Sequence, residues 1–323
     1  MVGASAQADS FSAIYAFGDS LSDAGNAFIA TGGAEPAAPY SGGRFSNGAV
    51  WVQDLASSLG LPAVTPSLAG GTDYAVGDAY SGTTPVHAAT AGDLPSQITA
   101  FQTANPSKAA NANGLYTIWI GSNDLSDITS PNPVTVAADV AAVVGNIDLA
   151  INQLAGDGAK NFLILTVPDL GKTPSAIAGG PAVAEASSAL SAFFDNTLVN
   201  GLSSAGIPSL SALATADGLS LGVVDTYSLI DGITADPAKF GLTDVTQSCL
   251  TGGNGYFGGE TVCANPSQYL FWDQEHPTAA GQEIVAEAAL GVTPEPATLT
   301  MMLGAAGVVG LIVVRRRRRG LLN

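Results

Sequence analysis

Residues 10–26 read SFSAIYAFGDSLSDAGN. A partly apolar, alternating run, SFSAIYA, gives way at once to FGDSLSDAGN, which holds a glycine, a carboxylate, a hydroxyl and a second acidic turn. The alternation predicts a strand over Ser12 to Phe17, and the polar run predicts a strand-to-helix turn with Ser20 at its start. Two readings of Ser20 follow. Ser20-Leu-Ser-Asp23 fits a capping box, with Ser20 as a simple helix N-cap. The same turn can also expose the hydroxyl as a nucleophile and aim its own N–H at the helix start.

Further along, short apolar runs recur at 72–76, 115–120, 161–167 and 219–225, and helical patterns fall at 47–59, 134–154, 181–205 and 278–290. Near-continuous apolar strands separated by helices predict an α/β fold, a central parallel sheet covered on both faces. In such sheets ligands sit beyond the carboxyl ends of the strands. The polar clusters Asp19-Ser20, Gly77-Asp78 and Gly121-Ser122-Asn123-Asp124 each follow an expected strand, so three strand ends can converge on one crevice. The Gly/Pro/Ser-rich stretch 31–43 is expected at its rim.

A serine hydroxyl needs a base to become a nucleophile, and the chain has two histidines, His87 and His276. His276 lies in FWDQEHPTAAGQE, with Asp273 three residues earlier. Asp273 can accept the Nδ1 proton and leave Nε2 free for the serine proton. The bland alternatives are a turn residue and a helix leader. His87, in TTPVHAAT, reads as a solvated loop histidine. Donors for a developing oxyanion are available from the Ser20 N–H, the Gly77 N–H and the Asn123 amide. Gly77 can equally be an ordinary strand-end turn, and Asn123 a local cap.

Only 11% of the 323 residues are charged, and five of the ten basic ones are Arg315 to Arg319. The chain before Pro294 is therefore strongly acidic, which excludes nucleic acid as a partner. Cys249 and Cys263 flank a Gly-rich segment and are expected to form one disulfide, worth a nominal ~3 kcal/mol from chain entropy. Nothing in the pattern calls for a metal or an organic cofactor. From Ala297 to Val314 run 18 uncharged, mostly apolar residues before the arginines; at 1.5 Å per residue that helix reaches ~27 Å, enough for a membrane span, with the arginines cytoplasmic. Residues 1–8 read as the end of a signal peptide, with Ala6 and Ala8 as the small pair before cleavage. The expected division is thus 1–8 leader, 9–291 globular domain and 292–323 sorting segment.

Four blocks, FGDSLSDAGN (17–26), DYAVGDA (73–79), WIGSND (119–124) and FWDQEHPT (271–278), resemble in their order those of the SGNH, or GDSL-type, hydrolases. The resemblance implies a flavodoxin-like three-layer α/β/α sandwich. It implies Ser20 as nucleophile, His276 as base, Asp273 as its orienting acid, and Ser20, Gly77 and Asn123 in an oxyanion hole. One position departs: many relatives carry a second glycine where this chain has Asp78. The tail, with Pro294, Glu295 and Pro296 ahead of an apolar span and an arginine cluster, resembles the PEP-CTERM sorting signal of Gram-negative bacteria. That resemblance implies an exosortase-type processing protease as partner and a final place at the cell surface or in the extracellular matrix. The expected function is a secreted serine esterase. Its alternatives are an acyltransferase or polysaccharide deacetylase on the same site and, outside enzymes, a non-catalytic matrix or carbohydrate-binding protein.

Overall fold

The computed structural model describes residues 11–294 apart from 107, 108 and 254. The expected signal-peptide end, Glu295, Pro296, the 297–314 span and the arginine cluster lie outside the described residues. Four parallel strands, β1 (Ala13–Gly18), β2 (Gly114–Trp119), β3 (Asn161–Leu165) and β4 (Ser220–Val224), pair in that order. Ala13 lies beside Gly114, Leu115 beside Asn161, and Asn161 beside Ser220.

Each strand sends alternate side chains to opposite faces, so each residue parity builds its own core. Ile14, Ala16, Leu115, Trp119, Leu163, Leu165 and Val224 pack with the helices Trp51–Ser58 and Ala279–Val292. Phe17, Tyr116, Ile118, Phe162 and Ile164 pack on the other side with Leu94–Ala104, Pro133–Gly156 and Pro181–Asn200. The result is a three-layer α/β/α sandwich. Pro133–Gly156 is long and apolar enough to cross a membrane by composition, yet Val140, Val143, Val144, Ile147 and Ile151 are buried in the core.

The stretch 72–76 is not a regular strand. It meets β1 through one bridge, Ala16 with Asp73. The Ala16 N–H donates to Thr72 O, Tyr74 N–H to Ala16 O and Val76 N–H to Gly18 O. On its other side Asp73 also pairs with Pro66, through Ser67 N–H donating to Asp73 O and Asp73 N–H to Thr65 O; the missing N–H of Pro66 faces away from this pair, toward the outer edge. Counting this edge segment, the order matches the doubly wound 2-1-3-4-5 pattern, with its switch point beside β1 and β2. The helix expected over 47–59 starts only at Trp51, and the one expected over 181–205 stops at Asn200, where Gly201 turns to φ 80°.

Candidate active site

The turn after β1 differs from the expected helix start. Ser22 and Asp23 both donate their N–H to Asp19 O, and a helix begins only at Asn26. Ser20 is therefore neither a helix N-cap nor next to a long helix dipole. What holds the turn is a set of buried side chains, its own Asp23 and others from elsewhere. Asp23 accepts the N–H groups of Gly25, Asn26, Ala27 and Gly77. Asp73 accepts that of Ala24 at 2.6 Å. Gln97 clamps Gly18 from both sides, accepting its N–H at 2.9 Å and donating to its carbonyl at 2.7 Å. The Trp51 indole donates to Ser22 Oγ.

The loop carrying His276 joins Phe271 to the Ala279–Val292 helix. The Trp272 N–H donates to His276 O, and Asp273 Oδ1 accepts the N–H groups of Glu275 and His276 at 2.9 and 2.7 Å. This local closure points the imidazole back at the carboxylate. His276 Nδ1 lies 2.7 Å from Asp273 Oδ2, and Nε2 lies 2.7 Å from Ser20 Oγ. The three residues, 256 positions apart at the extremes, form one continuous hydrogen-bonded chain, and His276 is only 3% exposed.

Charge decides the tautomer. Burial pushes Asp273 up, but the His276 charge and hydrogen bond, with the two backbone N–H groups, hold it below the usual carboxylate range. An ionised Asp273 can only accept, so Nδ1 keeps its proton, and in the neutral imidazole Nε2 is the nitrogen left to accept from Ser20. For His276 burial pulls the other way, downward; Asp273, with Glu275 and Asp19 behind it, outweighs burial and raises the imidazole to about 9. Burial pushes Asp19 up to about 7, against the Leu21 N–H that it accepts, and its Oδ2 is buried with no hydrogen-bond partner among the described residues.

The expected oxyanion donors are not equally available. The Ser20 N–H has no partner among the described residues. Asn123, on the short helix Ser122–Asp127, gives one amide hydrogen to Ala79 O at 2.8 Å and has a second to offer. The Gly77 N–H, by contrast, is donated to Asp23 Oδ2 at 2.8 Å. What Gly77 does contribute is space, since a Cβ there would run into the Phe45 ring. Asp78 has φ 59°, the single left-handed non-glycine residue among those described, which gives a physical reason for a glycine there in relatives.

Cys249 and Cys263 are bonded, closing the hairpin Leu250–Gly252 and Glu260–Val262. His87 is not merely solvated: its Nε2 lies 3.0 Å from Asp93 Oδ2 and its ring stacks on Tyr80. Beside Ser20 opens a crevice along the carboxyl ends of the strands, with Leu21, Trp119, Leu170, Ile230, Phe271 and Val285 among its walls.

The GDSL-like lipase/acylhydrolase family profile matches residues 14–289. The chain belongs to that family. Membership places it among carboxylic ester hydrolases, and a PEP-CTERM protein-sorting motif over 292–319 marks it for export. Similar family members include a thermolabile hemolysin of Vibrio parahaemolyticus, 29% identical over 88% of this chain and 64% of that one. A phosphatidylcholine-sterol acyltransferase of Aeromonas hydrophila is 28% identical over 86% of this chain and 78% of its own length. GDSL esterase/lipase 5 of Arabidopsis thaliana is 28% identical over 82% and 79%. This chain thus spans about two thirds of the hemolysin and more of the other two. Among solved structures, an acetylxylan esterase of Geobacillus stearothermophilus aligns at 13% identity over 88% and 96% of the two chains, with a TM-score of 0.44. That global agreement is too loose to add to the family assignment.

Proposed function

We propose that the chain is an exported serine esterase that works through an acyl-enzyme on Ser20. His276 Nε2 takes the Ser20 proton as Oγ attacks the ester carbonyl. The imidazolium, steadied by Asp273, then protonates the departing alkoxide. Water, deprotonated by the same nitrogen, attacks the acyl-enzyme and releases the acid. The Ser20 N–H and the free Asn123 amide hydrogen stabilise the oxyanion, while Gly77 leaves room for the Phe45 ring and Asp23 keeps the Gly77 N–H. The observation that carries this reading is the unbroken Ser20–His276–Asp273 chain, with both links at 2.7 Å. The apolar walls at Leu170, Ile230 and Phe271 support an acyl group longer than acetyl, which weighs against the polysaccharide-deacetylase alternative. In the precursor, the 297–314 span anchors the chain and an exosortase-type protease removes it near Pro294 to Pro296.

The test is hydrolysis of p-nitrophenyl esters from acetate to palmitate by residues 9–291, with Ser20→Ala and His276→Ala alongside. Loss of activity in both variants, with folding intact, is the expected result; full activity of Ser20→Ala would sink the scheme. The acyltransferase alternative has the 28% identity to the Aeromonas hydrophila acyltransferase in its favour. Adding an alcohol acceptor and measuring new ester against free acid separates the two.

A further inference from the structure

Asp273 has a fourth donor that the block FWDQEHPT does not contain. The Tyr40 hydroxyl donates to Asp273 Oδ2 at 2.8 Å, onto the same oxygen that receives His276 Nδ1–H, from 233 positions away. The tyrosine is 6% exposed and its ring is held edge-on by Phe45, Tyr256 and Trp272 at 6.4, 5.7 and 6.2 Å. Its backbone is tied down as well: the Tyr40 N–H donates to Ala37 O, and the Ala37 N–H donates to Tyr256 O. Tyr256 belongs to the disulfide-closed segment, and Cys249 lies in the same buried cluster as Tyr40 and Trp272.

We infer that Tyr40 is a positioning residue for ester hydrolysis, orienting Asp273 and setting how much negative charge its Oδ2 presents to His276. The inference rests on the esterase reading above. Its chemistry follows from one shared oxygen. With two donors, Oδ2 cannot rotate away from the imidazole without losing both, and part of its charge is spent on the phenol. Burial, with Asp273 and Glu260 nearby, keeps the phenol well above its ordinary range and so a donor throughout the working pH. The same aromatic box touches the base directly, since the Phe45 and Tyr256 rings lie 5.3 and 5.8 Å from the imidazole.

Tyr40→Phe removes only the hydroxyl. The expected result is a fall in kcat of about 10-fold with KM unchanged and a melting temperature within about 2 °C of the parent. The acidic limb of the kcat/KM profile should also move to higher pH, because Oδ2 then presents more charge to His276. The other groups facing His276, namely Asp19, Asp78 and Glu275, and those facing Tyr40, namely Glu260 and Glu275, are the same in both proteins and do not produce that difference. In an Asp273→Asn background the second substitution should cost no further activity. Unchanged kcat and pH limb in Tyr40→Phe would overturn the inference, as would a protein that no longer folds, since the hydroxyl would then serve stability alone. An inactive parent, or an active Ser20→Ala, would instead mean that the esterase reading itself had failed.

Discussion

The turn at Ser20, residues 18–26, combines local bonds through Asp19 and Asp23 with side chains from far along the chain, whereas the backbone from Trp272 to His276 is closed by Asp273 and by the His276 carbonyl. Gln97 reaches Gly18 across 79 positions and Asp73 reaches Ala24 across 49. Asp273, like Asp23, binds the N–H groups two and three residues after it; among the described residues its one distant donor is the Tyr40 side chain, whereas Asp23 also holds the distant Gly77 N–H. A locally closed loop keeps its shape when one side chain changes. A turn assembled from remote partners loses both its place and some of the packing between those partners. The two halves of one hydrogen-bonded chain should therefore respond differently to equally small substitutions.

The greatest loss should be in chemistry at His276. Asp273→Asn should lower kcat by about 10⁴-fold through the wrong imidazole tautomer, while thermal denaturation moves little; a collapse in melting temperature would break the comparison. Next is Asp23→Ala, which strands four backbone N–H groups in a buried turn. It should cost about 3–5 kcal/mol in chemical denaturation, and an unchanged midpoint would show the turn to be self-supporting after all.

Third is the pH profile. His276 must be neutral to act as base, and its neighbours raise it to about 9. In steady-state kinetics kcat/KM should climb through the neutral range and level off on the alkaline side, above the ordinary histidine value of about 6.5. A plateau already reached at pH 6 would contradict this.

The smallest effect sharpens the contrast within the turn itself. Asp19 and Asp23 are both buried, but among the described residues Asp19 accepts one backbone N–H and leaves Oδ2 without a partner. Its folded pKa is raised to about 7, so its contribution to stability is complete below the unfolded value and is lost as pH rises through about 7. Asp19→Asn keeps the Leu21 contact and removes the charge. In calorimetry it should raise the melting temperature at pH 8 by about 2–4 °C and do nothing comparable at pH 4, whereas Asp23→Asn should not stabilise at either pH.

The alternation in SFSAIYA and the apolar run NFLIL are written in residue identity and survive into β1 and β3. The stretch 72–76 has a strand's composition, yet it meets each neighbour through a single bridge at Asp73. Residues and spacing also marked Ser20, Asp273 and His276, because Asp273 and His276 lie three apart in one loop and the chain has one other histidine. The oxyanion donors were only half legible. A backbone N–H has no residue signature, so the capture of the Gly77 N–H by Asp23 is invisible until both are placed.

The parallel α/β class, the block order, the His–Asp spacing and the cysteine pair are readable in the residues alone, because all of them depend on local periodicity or on rare residue types. Tertiary structure alone decided that Tyr40 meets Asp273, that Gln97 clamps Gly18, and that Leu170, Ile230 and Phe271 share one crevice with Ser20. Those contacts join residues dozens to hundreds of positions apart. Tyrosine, glutamine and leucine are common enough that only packing selects which of them meet.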